Sequence, residues 1–352
     1  MVVDYIIVGQ GISGTFLSYC LHRAGKSFVV LDKPVSHTAS RVASGVVNPV
    51  TGRRIVKTWM IDELLPFARK AYQDISDFLG VAVVDECSVL EFHPTRQMQD
   101  AFENRLAEGA EYLSKVDSDE WKQVFNYHFG IGKVAPALHL DLQALLHRYR
   151  SFLEKENLLR ETVFDENDLR LTPDGVQYQD LKADKIFFCD GVAGIRRPYF
   201  DKLPFAFNKG EAIIVEIHDL PSQYIYKQGL SLVPWNRERQ QFWIGSTYTW
   251  DYADVLPTSA FAEKVKFQLD NWLKLPYRLL DHFAAERPAN VERRPFVGLH
   301  PQLPQIGILN GMGTKGCSLV PYFAQQLADH LEKGTPIDPL ADVGRFARVL
   351  AR

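Results

Sequence analysis

The first thirty residues alternate between apolar runs and turns in a pattern that predicts a strand, a helix and a second strand. Residues 4–8 are an apolar run with β-branched side chains, long enough for a buried parallel strand and short for a helix. Apolar positions then recur at helical spacing over residues 16–24, and Gly25 is typical of a helix end. A second apolar run, residues 28–31, ends at Asp32. The unit has the length that a right-handed parallel crossover requires.

Later apolar runs separate into two kinds. Residues 185–189 and 306–310 lead into glycine-containing turns and predict further strands of the same parallel sheet. Between them, residues 211–217, 229–233 and 241–247 are strand-like runs divided by turn residues, and no helical pattern separates the last two. This second pattern is typical of an antiparallel sheet. We therefore expect a chain that combines an α/β part with an α+β part.

The two patterns predict a discontinuous, Rossmann-like nucleotide-binding domain that is interrupted by an inserted domain with a mainly antiparallel sheet. The predicted nucleotide-binding domain takes residues 1–75, 135–205 and 288–352. The predicted inserted domain, which would hold the substrate, takes residues 76–134 and 206–287.

The composition is that of an ordinary globular protein, with 46% hydrophobic and 24% charged residues among 352. A net charge of −3 gives no reason to expect nucleic acid as a partner. No apolar run approaches the roughly 20 residues of a membrane span, and the N-terminus lacks a signal-peptide pattern. The four cysteines lie far apart, so we expect neither a disulfide nor a metal site, and a cytoplasmic location fits best. No feature predicts an oligomeric state.

The first glycine-rich turn carries the strongest chemical signal. Gly9 permits a tight turn, Gly11 lets the backbone approach a diphosphate, and Gly14 allows close packing of helix on strand. The helix that begins near Ile12 points its free N–H groups at the phosphates. Asp32, at the end of the second strand, can accept hydrogen bonds from a ribose diol. Together these features predict dinucleotide binding.

A second glycine-rich turn lies near the other end of the chain. Residues 310–316 precede a helical pattern that extends to Leu331. The N-terminus of such a helix suits the electron-rich edge of a reduced flavin, which carries negative charge. A nicotinamide enzyme has no need of it, so the turn favours FAD over NAD. The alternative is a helix that is simply capped at Gly316.

Four blocks of the sequence resemble the D-amino-acid oxidase superfamily of FAD-dependent oxidoreductases, which includes glycine oxidase and sarcosine oxidase. The blocks are residues 4–32, residues 39–49, residues 232–234 with 243–247, and residues 294–316 with the helix that follows. They occur in the family's order over nearly the whole chain. The resemblance is therefore specific to the superfamily and not to one member.

The motifs and the resemblance together imply a non-covalently bound FAD. Two positions depart from the family pattern: Asp190 stands where a small apolar residue is common, and residues 192–193 replace an aromatic residue. The implied cofactor-binding residues are Gly9, Gly11, Ile12, Ser13, Gly14, Asp32, Lys33, Ser40, Ala43, Ser44, Gly45, Val46, Val47, Val163, Cys189, Gly191, Gly311, Gly313, Thr314, Lys315 and Gly316.

Five residues are candidates for the reacting side of the flavin. Arg294 resembles the family arginine that grips a substrate carboxylate, a task that suits a planar guanidinium; the alternative is an ordinary ion pair. Arg53 resembles a second carboxylate contact, or is simply solvated. Tyr248 and Asn48 are candidates to line the substrate site, and Lys315 is a candidate to assist oxygen reduction.

The resemblance implies an enzyme that oxidises the C–N bond of a small, carboxylate-bearing amine or amino acid by hydride transfer to FAD. Three alternatives stay open on the sequence: a 2-hydroxy-acid dehydrogenase of the same superfamily, a non-catalytic flavin-binding module, and an NAD-dependent reductase. The first differs in the bond oxidised, the second in lacking turnover, and the third in lacking a yellow colour.

Overall fold

A computed structural model describes residues 1–117 and 119–351. The strands are β1 (Val2–Val8), β2 (Phe28–Leu31), β3 (Val46–Val47), β4 (Val50–Thr51), β5 (Val56–Lys57), β6 (Val84–Phe92), β7 (Leu113–Lys115), β8 (Ile131–Leu140), β9 (Leu159–Arg160), β10 (Leu169–Thr172), β11 (Gly175–Tyr178), β12 (Leu181–Phe188), β13 (Asn208–Ile217), β14 (Tyr224–Gln228), β15 (Leu230–Asn236), β16 (Gln241–Gly245), β17 (Tyr277–Arg287), β18 (Phe296–Leu299) and β19 (Ile306–Asn310). The helices are α1 (Ile12–Arg23), α2 (Ala39–Val42), α3 (Ile61–Leu79), α4 (Arg96–Ala107), α5 (Leu142–Lys155), α6 (Val192–Ile195), α7 (Ser259–Trp272), α8 (Gly316–Lys333) and α9 (Ala347–Leu350), with short 3-10 helices at Glu166–Asp168 and Val343–Phe346.

The first sheet has the strand order β10-β11-β12-β1-β2-β9, with β19 beside β12 and β18 beside β19. β1 runs parallel to β2 and β12, and β19 runs parallel to β12. The predicted parallel sheet is therefore confirmed. Because these strands are parallel, their carboxyl ends meet at one edge, where the turns after β1, β2, β12 and β19 lie together. Ligands of open α/β sheets bind at this kind of edge.

Four helices cover one face of the first sheet. Side chains of α1, α3, α5 and α8 share one apolar core with β1 and β2, and each contributes fully buried residues. Phe16 of α1 packs edge-on against Tyr72 of α3, with ring centroids 5.0 Å apart. α1 and α8 are the helices that follow the two glycine-rich turns, so this core fixes both turns against each other.

The second sheet has the order β17-β13-β16-β15-β14-β6-β8-β3, with β7 beside β8. All of its neighbours are antiparallel except β14 and β6. The predicted mainly antiparallel sheet is thus confirmed. α7 packs on one face of this sheet through an aromatic core that includes Trp272 and Phe125. The opposite face turns towards the edge of the first sheet where the glycine turns lie.

One predicted domain boundary needs correction. The prediction divides the chain between residues 134 and 135, yet β8 pairs with β6 from Ile131 to Leu140 and belongs to the second sheet throughout. β3 also joins this sheet, by pairing with the end of β8. Apolar alternation predicts a strand but not its partner, which explains the misplaced boundary. Among the described helices, none has the length and hydropathy needed to span a membrane.

Candidate active site

A cavity of about 1180 Å³ lies between the two sheets. One side is formed by the carboxyl ends of the parallel strands, with the turns that begin at Gly9 and Asp190. The other side is the face of the second sheet that does not carry α7, from Val89 on β6 to Arg287 on β17. Both glycine-rich turns and the antiparallel wall therefore line one cavity.

The first glycine turn is built for close backbone approach. Gly9 has a φ of +96°, and a Cβ at this position would lie 2.7 Å from the Cα of Asp190. A Cβ at Gly14 would overlap the carbonyl oxygen of Gly9. The N–H of Ile12, at the start of α1, donates to the Ser40 hydroxyl over 3.1 Å. The turn thus presents backbone N–H groups and a helix N-terminus to the cavity, which suits a diphosphate.

The second glycine turn lies beside the first. A Cβ at Gly316 would be 3.7 Å from the side chain of Ile12, so the N-termini of α1 and α8 are neighbours. Gly313, Thr314 and Lys315 line the same cavity as Gly9. Two turns separated by some three hundred residues of sequence therefore open on one elongated space.

Most of the predicted cofactor residues line this cavity. Four do not, namely Gly14, Gly45, Val47 and Gly311. A Cβ at Gly14 or Gly45 would overlap a backbone carbonyl, and Val47 is buried in the core, so packing explains these positions better than cofactor contact. The predicted residues that do line it are Gly9, Gly11, Ile12, Ser13, Asp32, Lys33, Ser40, Ala43, Ser44, Val46, Val163, Cys189, Gly191, Gly313, Thr314, Lys315 and Gly316.

Asp32 is held in place by two partners. One carboxylate oxygen accepts the N–H of Gln10 over 2.9 Å, and the other accepts from Nη1 of Arg150 over 2.9 Å. A carboxylate offers about four acceptor positions. Asp32 therefore retains capacity for a ribose diol, and its orientation is fixed by Arg150, a residue of α5 that the sequence did not single out.

Asp190, the departure noted in the sequence, is buried at the end of β12. Its Oδ2 is 3.4 Å from Nη2 of Arg197, and its Oδ1 has no hydrogen-bond partner within the described residues. Burial raises the pKa of Asp190 to about 6, against the opposing charge of Arg197. A carboxyl group with this pKa is mostly protonated only below about pH 6, where it would not repel a phosphate bound at the glycine turn.

The antiparallel wall carries a partly buried arginine that the sequence did not single out. Arg287 ends β17, and its guanidinium packs on Gly210 of the next strand. Nη1 donates to the side-chain oxygen of Asn208 (2.7 Å) and to the carbonyl of Thr247 (3.0 Å), while Nη2 donates to Ser246 Oγ (2.8 Å). A guanidinium has five N–H donors, so two remain for a ligand.

Arg294, the predicted substrate anchor, does not reach the cavity. Its guanidinium stacks over the ring of Trp59 at 4.0 Å and donates to the backbone oxygen of Arg293 over 3.0 Å. Arg287 and Arg294 both precede a proline, so this local pattern did not distinguish them. Side chains along a strand alternate between its two faces. Phe283, residue 285 and Arg287 share the face of β17 that lines the cavity, so this alternation could have identified Arg287 from the sequence.

The other predicted substrate-side residues line the cavity. Tyr248 is exposed, and its ring lies 4.9 Å from the guanidinium carbon of Arg287. Asn48 accepts the N–H of Val50 through its side-chain oxygen over 3.1 Å. Arg53 is exposed. Tyr248 and Asn48 are thus close enough to the space between the two sheets to contact a small ligand there.

Lys315 occupies the second glycine turn. Burial, and to a smaller extent the charge of Lys227, lowers the pKa of Lys315 to about 8. Its ammonium is 3.5 Å from the hydroxyl of Thr58. Burial also raises the pKa of the neighbouring Cys317 thiol to about 12, so this cysteine stays a neutral thiol and a poor nucleophile.

A further charged pair lies at the far end of the same wall. Lys227 of β14 and Glu91 of β6 occupy paired register positions, and their Nζ and Oε1 atoms are 2.8 Å apart. Both residues line the cavity. Glu91 is almost fully buried, whereas Lys227 is partly exposed. Among the described residues there is no group of three or more side chains that could hold a metal ion.

The fold and cavity define a dinucleotide-binding protein whose ligand space is completed by a second, antiparallel sheet. A family model described as FAD dependent oxidoreductase matches residues 4–330. The chain belongs to this family of FAD-dependent oxidoreductases, which confirms the predicted superfamily and the predicted cofactor. The glycine turns, Ser40, Asp32 and the long cavity fit the diphosphate, ribose and ring of FAD.

Several solved structures share the fold across nearly the whole chain. Iminodiacetate oxidase from Chelativorans sp. BNC1 is 18% identical with a TM-score of 0.77, and covers 95% of this chain and 96% of its own. Glycine oxidase from Geobacillus kaustophilus is 16% identical with a TM-score of 0.79, covering 97% and 98%. L-proline dehydrogenase from P. horikoshii is 15% identical with a TM-score of 0.73, covering 98% of both chains.

Proposed function

We propose that this enzyme oxidises the C–N bond of a small amine or amino acid that carries a carboxylate. The observation that carries the proposal is Arg287, a partly buried guanidinium with two N–H donors left for a ligand. It lies in the same cavity as the second glycine turn. A partly buried cation with free donors favours an anionic ligand, and a carboxylate matches a guanidinium edge.

In this proposal Arg287 orients the substrate, and Asn208, Thr247 and Ser246 hold its guanidinium in place. Apolar side chains of the wall, among them Trp243 and Phe283, exclude water from the reacting carbon. FAD supplies the acceptor for the hydride that leaves the carbon next to nitrogen. The resulting imine then hydrolyses in water to a carbonyl compound and an amine or ammonia.

Tyr248, Asn48, Arg53 and Lys315 keep supporting roles in the proposal. Tyr248 covers the guanidinium of Arg287 from the solvent side. Asn48 and Arg53 contribute further polar groups to the lining of the cavity. Lys315 carries a proton below pH about 8, so its ammonium can stabilise negative charge that develops at the flavin or on oxygen.

The names of the structural relatives support this bond type, since iminodiacetate, glycine and proline all carry a carboxylate and an amine. A 2-hydroxy acid offers the same carboxylate to Arg287 and is the second candidate. We further propose a cytoplasmic enzyme that acts on a free small molecule without a nucleic-acid partner.

Anaerobic bleaching of the flavin separates these candidates. Purified holoenzyme is mixed with a panel of amino acids and N-alkyl amino acids, and separately with the 2-hydroxy acids of the same carbon skeletons. We expect the visible flavin absorbance to fall with members of the amine panel alone. Bleaching by hydroxy acids alone would replace the C–N assignment with C–O oxidation, and no bleaching by either panel would contradict a catalytic role for Arg287.

A further inference from the structure

The antiparallel wall of the cavity carries a second cation besides Arg287, namely Lys227. Three carboxylates, Glu91, Glu211 and Glu286, line the same wall. Each has a hydrogen-bond donor: Glu91 accepts from Lys227, Glu211 from Thr258 and Glu286 from Tyr252. Arg287 and Lys227 therefore offer two separate cationic positions on one wall, which suits a ligand with two negative groups.

Lys227 is an ammonium presented to the cavity by a rigid partner. Glu91 faces it from the neighbouring strand and takes one of its three N–H donors over 2.8 Å. No second acceptor for Lys227 is found among the described residues. Glu91 is almost fully buried and its other oxygen has no partner among the described residues, so its packing and its bond to Lys227 together orient the ammonium.

Arg287 and Lys227 stand at opposite ends of the wall. The guanidinium of Arg287 rests on Gly210 of β13, and Lys227 belongs to β14. β16 and β15 lie between these strands, which makes three strand spacings, or roughly 14 Å. Ser231 and the indole of Trp243 line the interval. The two cations therefore belong to well-separated parts of the wall and suit the two ends of an extended ligand.

We propose that Lys227, held by Glu91, binds a second acidic group of the substrate, so that the enzyme acts on extended amino dicarboxylates. This inference rests on the proposed function for the reacting end, where Arg287 takes the carboxylate next to the amine. Lys227 takes the distal carboxylate and sets the preferred chain length. It is a specificity residue for the substrate and does not contact the reacting bond.

Binding of non-reacting acids to the oxidised holoenzyme tests the site directly. Adipate is titrated against hexanoate, and glutarate against pentanoate, with the perturbation of the visible flavin spectrum as the signal. A charge-assisted hydrogen bond predicts that each diacid binds at least about tenfold more tightly than the monoacid of the same carbon number. Equal affinities for both members of each pair would overturn the proposal.

Three variants assign the preference to Lys227. Removing Lys227 alone would leave Glu91 buried and unpaired, so the informative variant is the double substitution Lys227→Met with Glu91→Gln, which removes both charges at once. It should lose the diacid preference and keep its affinity for monoacids, whereas Lys227→Arg should keep the preference. Glu91→Gln alone should not weaken diacid binding. A double variant that still prefers diacids would refute the assignment.

Catalysis supplies a second readout that separates this inference from the proposed function. Racemic 2-aminoadipate and racemic norleucine differ only at the distal end of the chain. We expect a lower KM for 2-aminoadipate with similar kcat, and loss of this difference in the double variant. If neither compound bleaches the flavin, the proposed function fails at this substrate pair, while the diacid titration still reports on Lys227. If both react with equal KM, the distal site is wrong and the proposed function stands.

Discussion

Arg287→Leu is the substitution whose effect follows most closely from the site geometry. The substitution removes the guanidinium with its two N–H donors that remain for a ligand, and it keeps an apolar side chain about as long as the aliphatic part of arginine. Hydrogen bonds to charged groups contribute about 1.5–3 kcal/mol each. Losing two therefore costs about 3 kcal/mol or more in transition-state binding, which corresponds to a fall in kcat/KM of about 150-fold.

The assay must separate substrate binding from folding, because Arg287 also holds Asn208, Thr247 and Ser246. Steady-state kcat/KM is measured beside flavin content and thermal midpoint, so that activity is compared only among folded holoenzymes. Arg287→Lys restores the charge without the planar fork and should recover part of the loss. Arg294→Leu is the matched control, since this guanidinium stacks on Trp59 outside the cavity and its loss should leave KM within about twofold. A variant Arg287→Leu with unchanged kcat/KM, or an equal loss in Arg294→Leu, would refute the reasoning.

Three other substitutions probe the cofactor side. Gly14→Ala should abolish flavin retention and lower the thermal midpoint, because its Cβ would overlap the Gly9 carbonyl. The control Gly25→Ala has open space around it, so it should lower the free energy of unfolding by about 1 kcal/mol and keep FAD. Equal effects of the two substitutions would contradict the packing argument. Asp190 has a folded pKa of about 6, above its ordinary value of 3.8, so its contribution to stability is fully present below pH about 4 and is lost as pH rises through about 6. Urea unfolding of the FAD-free protein should therefore show Asp190→Asn gaining stability relative to the parent over this interval, and a flat difference would argue against a buried proton. Reoxidation of the reduced enzyme by oxygen, measured by stopped flow, should slow as pH rises through about 8, where Lys315 loses its proton. This pH dependence should disappear in Lys315→Met. A variant that still shows it would exclude Lys315 as its origin.

The elements around the first glycine turn could be predicted from sequence because their signals are local. β1, α1 and β2 lie within some thirty residues, and the apolar periods and glycines of this stretch all favour the same unit. Gly9 and Gly14 have strict backbone roles that few other residues can fill. The second turn near residue 313 could also be predicted from its own glycines and the helical pattern that follows, and the family resemblance then added the individual cofactor contacts.

Contacts between residues far apart in the sequence were harder to predict. Arg150 lies 118 positions from Asp32, and Lys227 lies 136 positions from Glu91, so no local pattern joins either pair. Arg287 and Arg294 both precede a proline, and no local pattern shows which of them faces the cavity. The pairing of β17 with β13 places Arg287 there. The boundary placed inside β8 failed for the same reason.

A structure of the enzyme with FAD bound tests the central claim most directly. We predict that the diphosphate contacts the backbone from Gly9 to Ser13, and that the flavin ring lies against residues 313–316 with its reacting face towards the wall that carries Arg287. A flavin ring bound away from the second turn, or turned so that Arg287 faces its back, would contradict the account.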